Sequence, residues 1–260
     1  MDLNLSGKVA VVTGASKGIG PAVTQALAAE GVHVAAVARS HTGAPAGLAD
    51  RVHPVSADLT TADGPAAAIE ETVARFGGLD ILVNNVGAVA PRLNGFLSVT
   101  DDDWIWGLTI NFLAAVRTTR AALPYLLDRG AASIVTVSSV NAFLPDPTII
   151  DYCSAKAALT NFCKALSKEV GPHGVRVNTV SPGPVSTPLW LGDDGVAATV
   201  AKAAGGQPED VARTAVAQSA TGRFTLPQEV AELVLLLASD RAANVTGSDF
   251  VIDGGLVPTL

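Results

Sequence analysis

Cysteine and histidine are scarce in this chain, and their positions exclude two kinds of stabilising site. There are only two cysteines and four histidines in 260 residues. Cys153 and Cys163 are ten positions apart on one predicted helix, too far to bond to each other within it. The four histidines show no zinc-like spacing. The sequence therefore predicts no disulfide in that helix and no metal site, and it places both cysteines in the core.

Charge is also sparse, and positive charge is in the minority. Charged residues make up 16% of the chain, and the formal net charge is −7. This balance argues against a nucleic-acid partner or an anionic membrane partner. No apolar run reaches transmembrane length, and the N-terminus lacks a basic segment followed by an apolar stretch. We therefore expect a cytoplasmic protein.

Short apolar runs alternate with helical patterns along the chain. Runs this apolar are buried on both faces, as in a parallel sheet covered by helices. With no repeat or long linker, residues 1–260 are predicted to form one α/β domain with a Rossmann-like doubly wound sheet. Predicted strands are Val9–Thr13, Val32–Val37, Val52–Ala57, Ile81–Asn84, Ser133–Ser138, Val175–Val180 and Asp249–Ile252; predicted helices end near Ala29 or span Pro65–Phe76, Asp101–Leu127 (interrupted at Pro124), Asp151–Val170 and Gln228–Ser239.

The stretch Pro184–Arg223 is rich in glycine and alanine and has no clear pattern. We expect it to form an irregular insertion above the carboxyl edge of the sheet, where ligands bind in open α/β sheets. It is predicted to act as a lid over the substrate.

The spacing of Ser139, Tyr152 and Lys156 points to proton transfer. Tyr152 and Lys156 are four residues apart and share one helix face, and Ser139 can face them from the end of a strand. A free tyrosine titrates near pH ~10, so operation near neutrality needs a shift of about 3 units, or roughly 4 kcal/mol. Alone, such a pair is more often a buried tyrosine beside a lysine on an ordinary helix.

A glycine-rich turn, Thr13–Gly20 (TGASKGIG), joins the first strand to the first helix. Glycines let the backbone approach a pyrophosphate, while the helix N-terminus offers free N–H groups and a positive dipole end. The spacing differs from the usual GxGxxG, and a tight strand-to-helix turn would also use glycines. The candidate contacts are Gly14, Ser16, Lys17, Gly18, Ile19 and Gly20.

Taken together, the motifs resemble the short-chain dehydrogenase/reductase family, and in particular 3-oxoacyl-(acyl-carrier-protein) reductases. The order and distances match from Gly7 to Gly255. The resemblance implies a sheet of about seven parallel strands flanked by helices, with hydride transfer between a bound NAD(P)(H) and a carbonyl or secondary alcohol. The motifs that carry it are TGxxxGxG, Asn84-Asn85-Val86-Gly87, Asn111, Ser139, Tyr152-x3-Lys156 and Pro182-Gly183.

The end of the second strand favours NADP(H) over NAD(H). NAD sites favour an acidic residue there, bound to the ribose 2′-hydroxyl, but this chain has Ala38. Arg39 can hold a 2′-phosphate with its guanidinium fork, and Lys17 adds positive charge. His41 could assist. NADP(H) is the predicted cofactor and NAD(H) the alternative.

The resemblance also assigns roles in catalysis. Tyr152 exchanges a proton with the substrate oxygen, and Lys156 lowers the pKa of Tyr152 and binds the nicotinamide ribose. Ser139 polarises the carbonyl, with Ser138 a less well-spaced alternative. Asn111 holds a water that links Lys156 to solvent. Asn84 steadies the central sheet. Further cofactor contacts are expected from Asp58, Leu59, Asn85, Gly87, Pro182, Gly183, Val185 and Thr187.

The substrate pocket is predicted from residues that follow Ser139 or open the lid segment. An apolar wall here favours an apolar or aromatic ketone. Asp146 and Asp151 near the mouth disfavour an anionic substrate, and no Lys/Arg cluster indicates a carrier-protein or coenzyme A partner. The expected lining residues are Phe143, Leu144, Pro145, Leu189, Trp190 and Leu191.

The leading hypothesis is an NADPH-dependent ketone or 3-oxoacyl reductase that acts on a small molecule. An NAD-dependent alcohol or hydroxysteroid dehydrogenase is the alternative, and a non-catalytic nucleotide-binding regulator is a third reading. The family resemblance also implies a homotetramer.

Overall fold

A parallel sheet carries the fold in the computed structural model, which describes residues 2–40, 43–44 and 47–259. His41 lies outside the described residues. The described strands pair in the order β3-β2-β1-β4-β5-β6-β7, all parallel. They are β1 (Val9–Thr13), β2 (His33–Ala38), β3 (Val52–Ser56), β4 (Ile81–Asn84), β5 (Ala132–Val137), β6 (Val175–Pro182) and β7 (Asp249–Ile252).

Helices cover both faces of this sheet. The described α-helices are α1 (Ile19–Ala29), α2 (Gly64–Phe76), α3 (Asp101–Leu108), α4 (Ala114–Arg129), α5 (Ile150–Val170), α6 (Pro188–Leu191), α7 (Val196–Ala204), α8 (Pro208–Ala217) and α9 (Pro227–Ala238). Apart from α6, α7 and α8, which were not predicted, their bounds agree with the predicted helices to within one or two residues, with α3 and α4 together covering one predicted helix. Among the described helices, none has the length and apolar character needed to cross a bilayer.

The central strands form because their side chains are buried on both faces. Val11 and Val12 are adjacent in β1, so they point to opposite faces, and both are fully buried. Val12 packs in a core with residues of α1 and α9. Val11 packs in a second core with residues of α2, α4 and α5. The prediction of a parallel sheet between two helical layers is confirmed.

The strand order reverses between β1 and β4. Chain connections leave these two strands in opposite directions, which opens a crevice at their carboxyl ends. The turn after β1 and the loop after β4 form the two walls of that crevice.

The predicted interruption at Pro124 is wrong. Pro124 lies inside α4, and the helix continues past it because its neighbours Ala122 and Leu126 are fully buried against the sheet. The irregularity falls earlier, at Thr109–Leu113, where one π-helical segment joins α3 to α4. Such wide turns occur often at functional sites.

The prediction that residues 184–223 are irregular is also wrong. The segment contains α6, α7 and α8, and α7 contacts α8. Ala197 and Ala201, four residues apart on α7, are buried. Small alanine side chains give a weak hydrophobic pattern in sequence but allow helices to approach closely, so the helices were not evident from periodicity.

An ion-pair network fixes the start of α5 to the loop after β4. Arg92 donates from Nη2 to Asp151 Oδ2 at 2.7 Å and from Nη1 to Asp103 Oδ1 at 2.7 Å. Asp151 is only 1% exposed, so the prediction that it lies at the pocket mouth is wrong. Because Asp151 immediately precedes Tyr152, this network fixes the position of the first turn of α5, which carries Tyr152.

We predict that Arg92→Leu lowers the free energy of unfolding by about 3–5 kcal/mol, because it leaves the Asp151 carboxylate buried without its partner. Urea unfolding followed by circular dichroism measures the change. Adding Asp151→Asn should recover much of the loss, since no buried charge then remains unpaired.

The matched control is Arg213→Leu, which breaks an ion pair between exposed side chains, Arg213 and Asp210. Such pairs contribute little, so this variant should unfold like the parent. Equal losses in the Arg92 and Arg213 variants would contradict the proposed importance of burial.

Candidate active site

A cavity of about 1200 Å³ lies at the carboxyl edge of the sheet, over the crevice between β1 and β4. Loops after β1, β2, β4, β5 and β6 line it, together with residues of α5 to α8. The predicted site residues that line it are Gly14, Ser16, Lys17, Gly18, Ile19, Arg39, Asp58, Leu59, Asn85, Gly87, Ser139, Leu144, Tyr152, Lys156, Pro182, Gly183, Val185, Thr187, Leu189 and Trp190.

One end of the cavity is built to receive an anion. Gly14 and Gly18 have positive φ values of 67° and 71°, which other residues rarely adopt. Gly18 caps α1 without any side-chain hydrogen bond, and the first turn of α1 carries no acidic residue. The helix N-terminus therefore keeps free N–H groups and an unopposed dipole end. These features fit a dinucleotide pyrophosphate.

Gly20 has a different role from the one predicted. It is buried and is not among the residues that line the cavity. A Cβ atom at this position would collide with the Gly14 carbonyl oxygen. Gly20 therefore lets α1 pack against the turn instead of contacting a ligand.

Thr13 holds the two walls of the crevice together. Its Oγ1 donates to the Val83 carbonyl oxygen at 3.2 Å and accepts from the backbone N–H groups of Asn85 (2.9 Å) and Val86 (3.2 Å). The Asn85 side chain returns hydrogen bonds from Nδ2 to the carbonyl oxygens of Thr13 (3.0 Å) and Gly14 (3.2 Å). The ends of β1 and β4 thus form one rigid unit.

Beyond this turn, the cavity carries positive charge at the end of β2. Arg39 and Lys17 are exposed and line the cavity, and Ala38 is buried in the sheet. Hydrogen bonds from Thr60 hold the pKa of Asp58 below its usual range, and the charge of Arg39 adds to this. An ionised Asp58 therefore lies near Arg39.

Asn111 is buried in the π-helical segment and lies outside the cavity lining. Its Oδ1 accepts from the Ala88 N–H at 2.9 Å, and its Nδ2 donates to the carbonyl oxygens of Ala88 (2.9 Å) and Gly107 (3.0 Å). Both N–H groups of the Asn111 side-chain amide are therefore used in hydrogen bonds to backbone carbonyl oxygens. The side chain anchors the loop after β4, and the expected water link to Lys156 stays a prediction.

Asn84 also agrees with its expected structural role. It is buried at the end of β4, and its Nδ2 donates to Thr119 Oγ1 of α4 at 3.0 Å and to Thr136 Oγ1 of β5 at 3.4 Å. These bonds tie the central strand to its neighbour and to the helix above it.

Tyr152 and Lys156 both line the cavity, and their pKa values are shifted in opposite directions. Burial raises the pKa of Tyr152 to about 12, against a smaller lowering by the neighbouring Ser139 side chain. Burial lowers the pKa of Lys156 to about 8. The Lys156 ammonium donates to the Val137 carbonyl oxygen at 2.9 Å and lies 5.7 Å from the Tyr152 ring centroid.

The prediction that Lys156 lowers the pKa of Tyr152 is thus wrong in this geometry. Burial has the largest effect on the Tyr152 pKa, and the Lys156 ammonium donates to a backbone carbonyl oxygen instead of to the tyrosine. Tyr152 keeps its proton at neutral pH, which is the form that can donate to an oxygen.

The structure distinguishes the two candidate serines. Ser138 Oγ pairs with Thr160 Oγ1 of α5 at 2.7 Å, so its hydroxyl is held away from the tyrosine. Ser139 lies beside Tyr152, whose pKa it lowers, and its Oγ donates to Asn141 Oδ1 at 3.2 Å. Ser139 is therefore the serine placed beside Tyr152.

The substrate end of the cavity includes most of the predicted apolar wall. Leu144, Leu189 and Trp190 line it, and Trp190 packs edge-on against Phe224 with 5.8 Å between ring centroids. Phe143 is 45% exposed and is not among the lining residues, so its assignment was wrong. The turn at Val140–Ala142 directs it outward. Pro145 also lines the cavity, and Leu191 lies outside this lining.

The cavity lining carries charges of both signs. Its cationic side chains are Lys17 of the glycine-rich turn, Arg39 after β2 and Lys156 of α5. Asp58 interacts with Arg39, whereas Asp146 follows β5, and Asp193 and Asp194 lie between α6 and α7. Within the described residues, no three His, Cys, Asp or Glu side chains form a potential metal site.

Sequence reasoning missed three residues that shape this site: Thr13, Arg92 and Asn141. Thr13 and Arg92 act through contacts 70 and 59 residues away, which no local pattern indicates. Asn141 had a signal, because serine side chains commonly accept from the backbone N–H two residues on.

Comparisons with known proteins agree with this fold and site. A family model described as enoyl-(acyl carrier protein) reductase matches residues 14–257. A 3-oxoacyl-(acyl-carrier-protein) reductase of Thermotoga maritima is 33% identical over 98% of this chain and 100% of its own length. A D-threitol dehydrogenase of Mycolicibacterium smegmatis is 37% identical, over 98% and 94%.

The fold also matches a solved structure of L-sorbose reductase from Gluconobacter frateurii, complexed with NADPH and L-sorbose. The TM-score is 0.92 at 34% identity, with 100% of both chains covered. With its Rossmann-like sheet and its similarity to these enzymes, the chain belongs to the short-chain dehydrogenase/reductase family, the NAD(P)-dependent oxidoreductases that act on CH–OH groups.

Proposed function

We propose that the protein reduces a neutral ketone with NADPH. The observation that carries the proposal is the convergence of Ser139, Tyr152 and Lys156 on one wall of a cavity whose far end is an anion site beside Arg39. A nucleotide-binding regulator needs the anion site but does not need the Ser139, Tyr152 and Lys156 set. The wall of proton donors is what a reductase requires.

The chain's own residues match an NADP(H) molecule along the cavity. The α1 N-terminus would meet the pyrophosphate, and Lys17 and Arg39 would hold the 2′-phosphate. Gly87 keeps the wall open, since a Cβ there would lie 3.1 Å from Asn111 Oδ1. Pro182, Gly183, Val185 and Thr187 line the cavity and would contact the nicotinamide. NADPH in the related L-sorbose reductase supports this assignment.

When bound, the cofactor supplies the hydride that the carbonyl carbon receives. Tyr152 donates the proton to the carbonyl oxygen, and its raised pKa keeps that proton available at neutral pH. Ser139 donates a hydrogen bond to the same oxygen. Lys156 provides a positive charge on the same wall. The arrangement favours reduction.

Three aspartates in the cavity lining favour a substrate without negative charge. Asp146, Asp193 and Asp194 would repel a carboxylate or phosphate near the mouth, while Leu144, Leu189 and Trp190 offer apolar contacts. A neutral ketone therefore fits better than an acyl group on an acidic carrier, although the 3-oxoacyl reductase relative keeps that reaction as a second candidate. The D-threitol dehydrogenase relative supports alcohol oxidation as the alternative reaction, for which NAD(H) is the alternative cofactor.

The remaining features of the proposal concern assembly and location. We place the chain in the cytoplasm as one domain, with residues 184–223 as a lid over the substrate, and we expect a homotetramer. Light scattering tests the tetramer, and a stable monomer would contradict it.

We predict that Tyr152→Phe lowers kcat for ketone reduction by about 100-fold or more, because it removes the proton donor. NADPH absorbance, followed over a panel of ketones and β-keto thioesters, measures the rate. The only other tyrosine gives a matched control, Tyr125→Phe on α4, which should turn over normally. Full turnover by Tyr152→Phe would refute the proposed chemistry.

We predict that Arg39→Ala raises KM for NADPH by about tenfold or more and leaves KM for NADH nearly unchanged. A hydrogen bond to a charged group contributes about 1.5–3 kcal/mol, and NADH lacks the 2′-phosphate. Arg75→Ala, at an exposed arginine on α2 outside the cavity lining, is the control. An unchanged preference for NADPH in Arg39→Ala would rule out the role of Arg39.

We predict that Lys156→Met stabilises the protein at pH 7 by up to about 3 kcal/mol while abolishing efficient turnover. Lys156 binds its proton more weakly in the folded protein, where its pKa is about 8, than in the unfolded chain, where the ordinary value is 10.5. Parent stability should therefore gain relative to the variant as pH rises from about 8 to 10.5, and below pH 8 the full penalty applies.

Thermal unfolding from pH 6 to 10.5 measures this difference. Lys168→Met, on the same helix at an exposed position, removes no burial penalty and serves as the control. A Lys156→Met variant that is less stable than the parent at pH 7 would show that the ammonium contributes more to folding than its burial costs.

A further inference from the structure

Asn141 makes two hydrogen bonds with the Ser139 hydroxyl, one through its backbone and one through its side chain. The backbone N–H of Asn141 donates to Ser139 Oγ at 3.2 Å, and the Asn141 side-chain oxygen Oδ1 lies 3.2 Å from the same Oγ as an acceptor. Asn141 is half-buried and lines the cavity. The Asn141 side chain therefore contacts the Ser139 hydroxyl directly as well as lining the cavity.

The orientation of the Asn141 amide follows from its other neighbour. Its Nδ2 lies 3.0 Å from the Leu144 carbonyl oxygen, which can only accept a hydrogen bond. The NH2 group must face Leu144, so the carbonyl oxygen of the amide faces Ser139. The Ser139 hydroxyl is consequently the donor in its contact with Asn141.

A serine hydroxyl has one proton and two lone pairs. The Asn141 backbone N–H occupies one lone pair of Ser139 Oγ and holds the oxygen in place. The single proton is directed to Asn141 Oδ1. To polarise a carbonyl, Ser139 must turn this proton from Oδ1 to the substrate oxygen, so the two oxygens are competing acceptors.

We infer that Asn141 is a positioning residue that holds the Ser139 proton and releases it to the substrate carbonyl. A neutral amide is a moderate acceptor and yields the proton readily. The acceptor strength of residue 141 therefore sets how well Ser139 stabilises the oxygen on which negative charge develops. This inference rests on the proposed function, because it needs Ser139 to act on a carbonyl.

Two substitutions of similar size isolate the acceptor. Asn141→Asp places a charged acceptor beside Ser139, and Asn141→Leu removes the acceptor. Both lose the hydrogen bond to Leu144 and both keep the backbone N–H, so structural effects are matched. At pH 8 we expect kcat/KM for ketone reduction to be about 100-fold lower in Asn141→Asp than in Asn141→Leu, with Asn141→Leu within about tenfold of the parent.

The pH profile provides a readout that a structural role would not change. Protonation of the introduced carboxylate weakens it as an acceptor, so the gap between the two variants should narrow as pH falls from 8 to 5. The ionisable groups at this end of the cavity are Tyr152, Lys156, Asp146, Asp193 and Asp194. All are present in both variants, so their titration cancels in the comparison.

Repeating both substitutions in a Ser139→Ala background tests whether residue 141 acts through the serine. The gap should shrink to within about threefold, because no hydroxyl proton remains to be held. Single-turnover measurements with excess enzyme give rates for these slow variants. NADPH binding within twofold of the parent confirms that each variant is folded.

Three outcomes would overturn the inference: equal rates for Asn141→Asp and Asn141→Leu at pH 8, a gap that does not narrow in acid, or a gap that persists in the Ser139→Ala background. Persistence would mean that residue 141 acts directly on the reacting oxygen. Parent-like turnover by Ser139→Ala alone would instead refute the proposed function, so the two failures are distinguishable.

Discussion

One buried hydroxyl, that of Thr13, joins the halves of the sheet where the strand order reverses. This hydroxyl donates a hydrogen bond to the Val83 carbonyl oxygen of β4, and its oxygen accepts hydrogen bonds from two backbone N–H groups of the following loop. These N–H groups lie within protein, where an unmet hydrogen bond costs about 1–3 kcal/mol. The phosphate-binding turn and the opposite wall therefore keep a constant separation, and the other site residues are arranged around that crevice.

The second constraint is the burial of ionisable groups on α5. A buried ammonium opposes folding, yet Lys156 is only 3% exposed and is satisfied by one carbonyl oxygen. The same low dielectric keeps the proton on Tyr152. Function and stability thus oppose each other at this wall, as is common at sites selected for activity. The Arg92–Asp151 pair fixes the start of this helix one residue before Tyr152.

Much of the fold could be predicted because strand positions follow from local composition. Runs such as Val9–Thr13 and Ile81–Asn84 are short, apolar and β-branched, and the structure has the same bounds. The lid helices were missed because alanine and glycine give little periodicity. In the site, the motif residues were identified by their resemblance to a family pattern. The outward direction of Phe143 and the buried pairing of Asp151 were missed, because both depend on how a loop turns after its strand.

By itself, the sequence determined the parallel sheet, the glycine turn, the Ser139, Tyr152 and Lys156 set, and the basic residue after β2. These are properties of residue type and spacing, which survive without knowledge of distant contacts. Only the tertiary structure decided the direction of the pKa shift of Tyr152, the pairing of Ser139 with Asn141, and the burial of Asp151 against Arg92. The reason is physical: desolvation and hydrogen-bond geometry depend on every group packed around an atom, and most of those groups are distant in sequence.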